Sequence, residues 1–588
     1  MTVSPPRADR PVEAPPDPAR RTGRPARRHS GWKASGPLLA ILAFLILIPA
    51  GLVLFGAFSV DVPRPGSIGL DLTLENFAVL AEPEIRQASL NSLIIATGAS
   101  LLAVLLGAGV AFLAARTDVP ARPFVYLVGL TPMFLPSYVG ALAWSMLGSP
   151  GAGLLNILFR DLGIGLEVNL YSLGGLVFVM GMYYAPYAFL LVHASMSMMN
   201  PDLEEAAVVH GGTHRRMVRS VTVPLALPAI LGSALLVFVL VFENFPVAQV
   251  LASPGSIDTI PTYIYRMMNT YPSRGNEAAA LAVVLVAVVL IVTWLQRRAL
   301  AKRSYTTVSG KGVKAGRIRL GGWRWPAFGI AAVYFALAVV LPLLALALTS
   351  VRRSPYIGSL SELFEEGALD LSAYGAGTLG SFSFWSIVGN SVLVAVGAAA
   401  FGTILSFLVA YVVYRTRARG RGALEGISMT PLAVPAIVLG MGLLWTWLMM
   451  PVQLYGTLWV LVVAFVAVQM PQGLRSVAAS IQSTDRDLED AAVLLGARRR
   501  RAITAVTVPL MRTALSATFL LLLMLSMREL TVPLFLYTND TKILSIAIFD
   551  QFENGGALHV AAAMSLLYCL IMFVLSYLPR RFGKGLGE

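Results

Sequence analysis

One stretch of this sequence occurs twice, as DLEEAAVVHGGTHRRMVRSVTVPL at residues 202–225 and as DLEDAAVLLGARRRRAITAVTVPL at residues 487–510. We call these two stretches the first and the second repeated loop. The opening residues of each are strong helix formers, a glycine (Gly211 or Gly496) can end that helix with a positive φ, and the later proline can begin another helix. Each loop is therefore predicted to be a helix-turn-helix at the protein surface that leads into a further helix.

The duplication extends beyond these loops. Three more pairs of motifs recur at one constant spacing of 299 residues, namely Asn91-Ser92 with Asn390-Ser391, Arg116-Thr117 with Arg415-Thr416, and Thr131-Pro132 with Thr430-Pro431. The spacing falls to 285 at the repeated loops, so the second copy has lost about 14 residues between its third and fourth predicted helices. Because six helices separate equivalent points, the two copies have the same orientation, as parallel repeats do.

Composition places the chain in a membrane. Of its 588 residues, 56% are hydrophobic and only 13% are charged, which is far more apolar side chain than a soluble core of this size requires. A bilayer core of about 30 Å needs about 20 apolar residues per helix. Windows of that kind lie at 37–58, 90–115, 124–147, 171–193, 225–251, 278–296, 326–349, 387–413, 426–449, 455–475, 512–536 and 558–578. The predicted fold class is an all-α polytopic membrane protein with 12 transmembrane helices, arranged as two parallel six-helix repeats.

Polar segments divide the chain into regions. We predict a disordered basic cytoplasmic tail at 1–32, a first transmembrane domain at 33–298, a cytoplasmic linker at 299–325 and a second transmembrane domain at 326–588. The tail is rich in Pro and Arg and lacks apolar periodicity, so it cannot bury enough surface to fold. Binding to anionic lipid is an alternative role for it. The apolar run that follows is longer than the core of a signal peptide and is predicted to remain in the protein as the first transmembrane helix.

Basic residues mark one side of the membrane. With the N-terminus inside, the tail, the linker, both repeated loops and the C-terminal end lie in the cytoplasm, and nearly all the arginine clusters fall there, as the positive-inside rule requires. Arg352 and Arg353 are exceptions, in a long outer loop where this bias is weak. The net charge of +14 therefore reflects topology, and no nucleic-acid partner is predicted.

The sequence lacks the residue patterns of redox, metal or hydrolytic chemistry. Cys569 is the single cysteine, and the five histidines have no ligand spacing. No GxxxxGKS/T loop is present to hold nucleotide phosphates. We therefore predict no catalytic residue, no metal site and no cofactor, and any ATP must be hydrolysed by another chain.

The repeated loops resemble the EAA loop of binding-protein-dependent ABC importer permeases, which reads Glu-Ala-Ala, three residues, Gly, nine residues, Ile-x-Leu-Pro. Both loops match with Val in place of Ile and Leu, and Asp490 replaces the glutamate in the second. The resemblance implies contact with an ATP-binding-cassette ATPase subunit, in two copies, through Glu204, Glu205, Ala206, Ala207, Gly211, Pro224, Glu489, Asp490, Ala491, Ala492, Gly496 and Pro509. It also implies an extracytoplasmic substrate-binding protein and a place in the bacterial plasma (inner) membrane, with both termini in the cytoplasm.

Further features are similar to ferric iron importer permeases. They are the fused architecture and the runs Tyr171-Ser172-Leu173-Gly174-Gly175, Tyr183-Tyr184-Ala185-Pro186-Tyr187 and Thr262-Tyr263-Ile264-Tyr265-Arg266. This resemblance favours ferric iron as the substrate of a permease subunit that is not itself an enzyme, with phosphonate, thiamine, sugar phosphate and polyamine left open. A secondary transporter with 12 helices is the alternative function. A proton- or sodium-driven carrier, however, has no reason to repeat a helix-turn-helix after its fourth and tenth helices.

Charged residues also fall inside predicted membrane helices: Glu243 in the fifth, and Arg528 with Glu529 in the eleventh, at equivalent positions of the repeat. A charge at the centre of a membrane helix costs about 2.5–3.5 kcal/mol, so each needs a partner, a wet cavity or a helix-end position. Two interpretations stay open, an ion pair between Glu243 and Arg528 that locks the halves together, or a gate that breaks and remakes this contact. Direct binding of iron is less favoured, because the sequence shows no carboxylate or tyrosine cluster here.

Overall fold

The computed structural model describes residues 32, 35–63, 69, 71–200, 202–210, 213–301, 317–354, 357–451 and 454–585. Apart from Trp32, the tail that the sequence predicts to be disordered lies outside the described residues. Most of the predicted linker and Gly211 of the first repeated loop also lie outside them.

Helices build the first half of the chain. In order they are α1 Gly36–Phe58, α2 Pro83–Arg116, α3 Arg122–Phe134, α4 Ser137–Gly148, α5 Leu154–Asp161, α6 Leu173–Ser197, α7 Asp202–Val209, α8 Arg215–Phe242, α9 Pro246–Ala252, α10 Ile260–Asn269 and α11 Gly275–Ala301. Within the described residues β-structure is limited to three isolated bridges. The all-α prediction is confirmed.

The second half repeats this order. Its helices are α12 Gly321–Ser350, α13 Phe382–Arg415, α14 Arg421–Leu432, α15 Ala436–Met449, α16 Leu458–Ser483, α17 Asp487–Leu494, α18 Arg499–Leu510, α19 Arg512–Arg528, α20 Pro533–Leu536, α21 Leu544–Glu553 and α22 Leu558–Gly585. Helix α5, of 8 residues, has no counterpart and makes up more than half of the stretch that the second copy has lost. The described residues contain 9 helices able to cross a membrane, or up to 12 if each of three bent pairs counts as one span.

Repeated prolines bend two equivalent spans. The chain turns by 93° between α3 and α4 and by 111° between α14 and α15. Pro136 and Pro435 are the residues immediately before α4 and α15. Proline lacks an N–H and disfavours helical geometry in the residue before it, so the helix breaks at the same place in both copies.

The fifth and eleventh spans end earlier than the apolar windows predict. Helix α8 ends at Phe242 and α19 ends at Arg528, and short helices then begin at Pro246 and Pro533. The windows 225–251 and 512–536 are therefore wrong as single helices. Apolar composition continues through the turn, whereas each proline removes a backbone donor and favours a new helix start.

The first span of each half packs on the other half as well as on its own. Helix α1 packs on α15 of the other half, and α12 packs reciprocally on α4. The crossing is close, because a Cβ on Gly442 would lie 2.3 Å from the carbonyl oxygen of Pro49 and one on Gly56 would lie 2.6 Å from the ring of Trp445. The halves are therefore interlocked and cannot separate as independent domains without losing these contacts.

Two long helices form the centre of the halves. Helices α2 and α13 contain 34 residues each. Helix α2 packs on α6 and α8, and α13 packs on the equivalent pair, α16 and α19. The C-terminal ends of α2 and α13 therefore reach the repeated loops, which follow α6 and α16 in the chain.

Candidate functional site

A buried glutamate fastens the first repeated loop. Glu204 in α7 is 6% exposed, and its carboxylate forms an ion pair with the guanidinium of Arg116, which is fully buried at the end of α2. The hydroxyl of Thr222 donates a hydrogen bond of 2.6 Å to Glu204 Oε1. The short surface helix is thus joined both to the long helix α2 and to the start of α8.

The second repeated loop is fastened at the same position. Glu489 in α17 is 2% exposed and accepts a hydrogen bond of 3.0 Å from the hydroxyl of Thr507. Its other oxygen accepts from the hydroxyl of Tyr411, on α13, and lies 2.9 Å from Arg499 Nε. The glutamate and threonine are 18 residues apart in both loops, so the contact is part of the repeat.

The backbone before each proline explains how the threonine reaches the glutamate. Residues 218–222 and 503–507 form single wide π-helical turns, in which the N–H of the following valine bonds to a carbonyl five residues back. Pro224 and Pro509, one residue further on, have no N–H to continue regular helical bonding. Such turns often occur at functional sites. Here each turn places a buried hydroxyl against the acid.

The two loops differ in the arginine that pairs with the acid. Arg415 is the repeat counterpart of Arg116, yet it donates to the backbone oxygens of Ile481 and Thr484, at 2.9 and 2.6 Å. Glu489 instead pairs with Arg499 of its own loop, whose side chain is 41% exposed. We call the contacts of Glu204 and of Glu489 the first and the second anchor. The first anchor is an ion pair shielded from water, whereas the second is open to water.

The structure places the predicted loop residues in two groups. Of the paired acids, Glu204 and Glu489 are buried, whereas Glu205 is exposed and Asp490 is partly exposed. Ala206, Ala207, Ala491, Ala492, Pro224 and Pro509 are all exposed or partly exposed. Gly496 has the positive φ expected of it, at 93°. The buried threonines were not predicted, because a threonine between two valines reads as part of an apolar run.

The predicted membrane charges lie at helix ends. Glu243 directly follows α8, Arg528 is the last residue of α19, and Glu529 follows it. Asn244, the residue after Glu243, donates a hydrogen bond of 2.6 Å to the hydroxyl of Tyr184, and Glu529 Oε1 accepts one of 3.3 Å from the N–H of Val532. Among the described residues, however, no ion pair joins Glu243 to Arg528. These three charged residues therefore occupy helix ends, one of the three kinds of position at which a membrane protein tolerates a charge.

A cluster of aromatic side chains lies at the interface between the two halves. Phe245 is fully buried, and its ring centroid lies 4.9 Å from that of Tyr265 in its own half and 6.4 Å from that of Phe549 in the other half. Tyr265 also contacts Phe535 across the interface, at 6.1 Å. The four rings come from α10, α20, α21 and the turn before α9.

A cavity of about 390 Å³ lies next to this cluster and is lined by both halves. Its polar lining includes Ser145, Tyr171, Gln249, Thr349, Arg352 and Glu553. Gln249 Nε2 donates to Glu553 Oε1 across the interface, at 2.7 Å. Partial burial raises the pKa of the Glu553 carboxyl above its ordinary value, while the bond from Gln249 acts in the opposite direction. Arg352, an exception to the charge rule, is 4% exposed here and belongs to the cavity wall.

A second cavity adjoins the first. It has a volume of about 380 Å³ and shares Gln249 with the first cavity. Asp258 and Arg266 line it and form an ion pair at 2.9 Å. Within the described part of the chain, no group of three or more His, Cys, Asp or Glu side chains could hold a metal ion.

Comparison with known proteins identifies the family. The model of the binding-protein-dependent transport system inner membrane component matches residues 100–304 and again residues 402–584, once in each half. The ferric transport system permease protein FbpB of Actinobacillus pleuropneumoniae is 25% identical over 519 residues, which cover 85% of this chain and 72% of that protein. The Fe(3+)-transport system permease protein FbpB 2 of Haemophilus influenzae is 24% identical over 537 residues, which cover 90% of this chain and 95% of that protein.

One solved structure, a bacterial ABC transporter involved in the import of the acidic polysaccharide alginate, aligns with 46% of this chain and 95% of its own at 20% identity, with a TM-score of 0.38. The family model matches both halves and more than half of the residues. This chain belongs to the family of binding-protein-dependent transport system inner membrane components, as a fused permease with two copies of the family's domain.

Proposed function

We propose that this chain is the permease subunit of an importer driven by ATP and that ATPase subunits dock on its two repeated loops. The observation that carries this proposal is the repeated anchor, in which Glu204 binds Thr222 and Glu489 binds Thr507. A surface helix that is only a connection between spans has no need of a buried acid in both copies. A helix that transmits force from a partner needs such a buried contact, because the contact fixes it to the membrane helices.

The exposed face of each loop suits a protein partner. Leu203 and Val209 in the first loop are 51% and 82% exposed, and Leu494 and Leu495 in the second are 88% and 90% exposed. Large apolar side chains grouped at one surface mark interaction sites. Exposed arginines follow each group and can pair with acidic residues at the rim of a docking cleft.

The anchors transmit a push or pull from the partner to the membrane helices. Removing one member of a buried ion pair costs about 3–5 kcal/mol, because the other charge stays buried without a partner. The ion pair of Glu204 with Arg116 therefore holds α7 on α2 while the docked subunit moves. In the second half, Tyr411 links α17 to α13 in the same way. Two equivalent loops call for two ATPase subunits.

We propose ferric iron as the solute, delivered by an extracytoplasmic binding protein. The support is the likeness to two permeases named for ferric transport over most of the chain. A chain without a metal-binding cluster in its described part fits a path that passes the ion on rather than holding it. Phosphonate, thiamine, sugar phosphate and polyamine are the other solutes to test. Both termini are proposed to lie in the cytoplasm, on the side of the repeated loops.

Reconstitution tests this function. The permease, its ATPase subunit and its binding protein are placed in liposomes, and uptake of radioactive ferric citrate is measured with ATP inside. We expect uptake that requires ATP and falls below detection with Gly496→Asp, since any side chain at the positive φ of Gly496 strains the turn and aspartate also adds a negative charge to the proposed docking surface. The control Gly422→Ala lies in α14, where a Cβ meets no neighbouring atom.

Two outcomes would contradict the proposal. Uptake driven by a proton or sodium gradient without ATP would favour the secondary transporter. ATP-dependent uptake of another solute from the same series, with none of iron, would keep the docking proposal and replace the substrate.

A further inference from the structure

The repeated pair of asparagine and serine joins each long helix to a short helix at the interface of the halves. Asn91 Nδ2 donates to the carbonyl of Asp258 at 3.0 Å, and Ser92 Oγ accepts from the N–H of Ile260 at 2.8 Å. Both side chains are buried, at 5% and 3% exposure. They therefore fix α2 to the first residue of α10.

The second half contains the same joint. Asn390 Nδ2 donates to the carbonyl of Lys542 at 3.2 Å, and Ser391 Oγ accepts from the N–H of Leu544 at 2.6 Å. This fixes α13 to the first residue of α21. The pairs recur at the same spacing of 299 residues as the other repeated motifs, and each pair meets the equivalent helix of its own half.

Each joint leads directly to the aromatic cluster. Tyr265 is the fifth residue after Ile260, and Phe549 is the fifth residue after Leu544, so the two rings occupy equivalent positions. Both rings contact Phe245. A shift of α10 or α21 along its axis would therefore separate rings that now meet across the interface. A shift of α21 would also separate Glu553 from Gln249.

The other end of each long helix holds a repeated loop. Ser92 and Arg116 are 24 residues apart on α2, about 36 Å at a rise of 1.5 Å per residue. Ser391 and Tyr411 are 20 residues apart on α13, about 30 Å at the same rise, and Tyr411 contacts Glu489 of the second repeated loop. A continuous chain of contacts thus runs from the buried glutamate of each loop, along one rigid helix, to the interface on the opposite face.

We propose that the two Asn-Ser pairs are positioning residues. They convert movement of the repeated loops into opening and closing of a contact between the halves. This contact is formed by Phe245, Tyr265, Phe535 and Phe549 with Gln249 and Glu553. This contact is the closure of the solute path on the face opposite the loops. Packed aromatic rings exclude water and so block a polar solute. The inference rests on the proposed docking of ATPase subunits at the loops.

A cross-linking experiment tests the proposal. Cysteines replace Ser253 and Phe552, which line the 390 Å³ cavity from opposite halves, in a chain with Cys569→Ala. The complex with its ATPase subunits is treated with a short bifunctional thiol reagent, either without nucleotide or after trapping with ATP and vanadate. We expect the cross-link without nucleotide and at least a roughly fivefold loss on trapping, the lower end of usual coupling between two sites.

The test variant carries Ser92→Ala and Ser391→Ala together. Its control is Ser89→Ala, one turn earlier on α2, whose hydroxyl bonds only to the carbonyl of Ile85 in its own helix. We expect the double variant to trap nucleotide while its cross-link no longer responds. Ser92→Thr with Ser391→Thr keeps both acceptor hydroxyls and should restore the response, which separates positioning from loss of folding.

The outcomes are distinct. A cross-link that falls on trapping to the same extent in the double alanine variant and the control would overturn the proposal. A control that traps nucleotide without any change in the cross-link would overturn it too, while leaving docking intact. Failure of the control to bind or trap nucleotide would overturn the docking proposal and this inference together.

Discussion

Replacement of Arg116 by methionine tests the difference between the two anchors. Arg116 is fully buried and pairs with Glu204, whose side chain is 8% exposed, so its removal leaves a buried charge without a counter-ion, held only by the hydroxyl of Thr222. We expect this to destabilise the docked position of α7 by about 3–5 kcal/mol. Arg499→Met is the matched change in the second loop. Its side chain is 41% exposed and Thr507 and Tyr411 remain on Glu489, so we expect about 1 kcal/mol or less.

Hydrogen exchange measures this difference locally. Amides of a short surface helix exchange through local opening, and their rates report its free energy. Arg116→Met should speed exchange of residues 203–209 by between about 100-fold and about 4,000-fold, since 1.4 kcal/mol is a factor of ten. Adding Glu204→Gln removes the stranded charge and should recover most of the loss. Equal effects of Arg116→Met and Arg499→Met would contradict this prediction, as would a double variant no more protected than Arg116→Met.

Three further predictions follow from other contacts. Thr507→Val removes a bond to a charged group that is worth about 1.5–3 kcal/mol, and should reduce uptake per ATP hydrolysed while the chain still inserts. Gly442→Leu drives a side chain into the carbonyl of Pro49. Because overpacking costs about 1–3 kcal/mol, this variant should lower the melting temperature of the purified permease. The control Gly389→Ala places its methyl group in open space and should not lower it. Glu243→Gln and Arg528→Gln should each lower uptake if these charges form a gate; unchanged uptake with a less stable protein would refute that role.

The sequence was sufficient for the large-scale architecture. Apolar windows predicted the spans, and the duplicated motifs predicted two halves in parallel, because both depend on patterns that survive as residue type and spacing. The prolines that precede α4 and α15 also recur at the spacing of 299 residues, whereas the size of the bends, 93° and 111°, is seen only in the structure. Hydropathy failed at Glu243 and Arg528, since the chain turns inside a continuous apolar run and composition does not record a turn.

The site was predicted in position but not in detail. The resemblance selected both acids of each loop without separating their roles, and only packing shows that Glu204 is buried while Glu205 faces outward. Arg116 lies 88 residues from Glu204 along the chain, so no local pattern joins them. Arg352 was read as an irregular topology signal, because its place in a cavity wall depends on the contact between the halves.

Docking of ATPase subunits on the repeated loops can be tested by capture of the ATPase subunit at the tips of the loops. Photoreactive cross-linkers are placed on cysteines that replace Val209 and Leu494, which are 82% and 88% exposed, and on one that replaces Tyr271, which is fully exposed on the opposite side of the molecule. We expect the ATPase subunit to be captured from both loops and not from position 271. An intact complex that yields no capture at either loop, or equal capture at position 271, would contradict it.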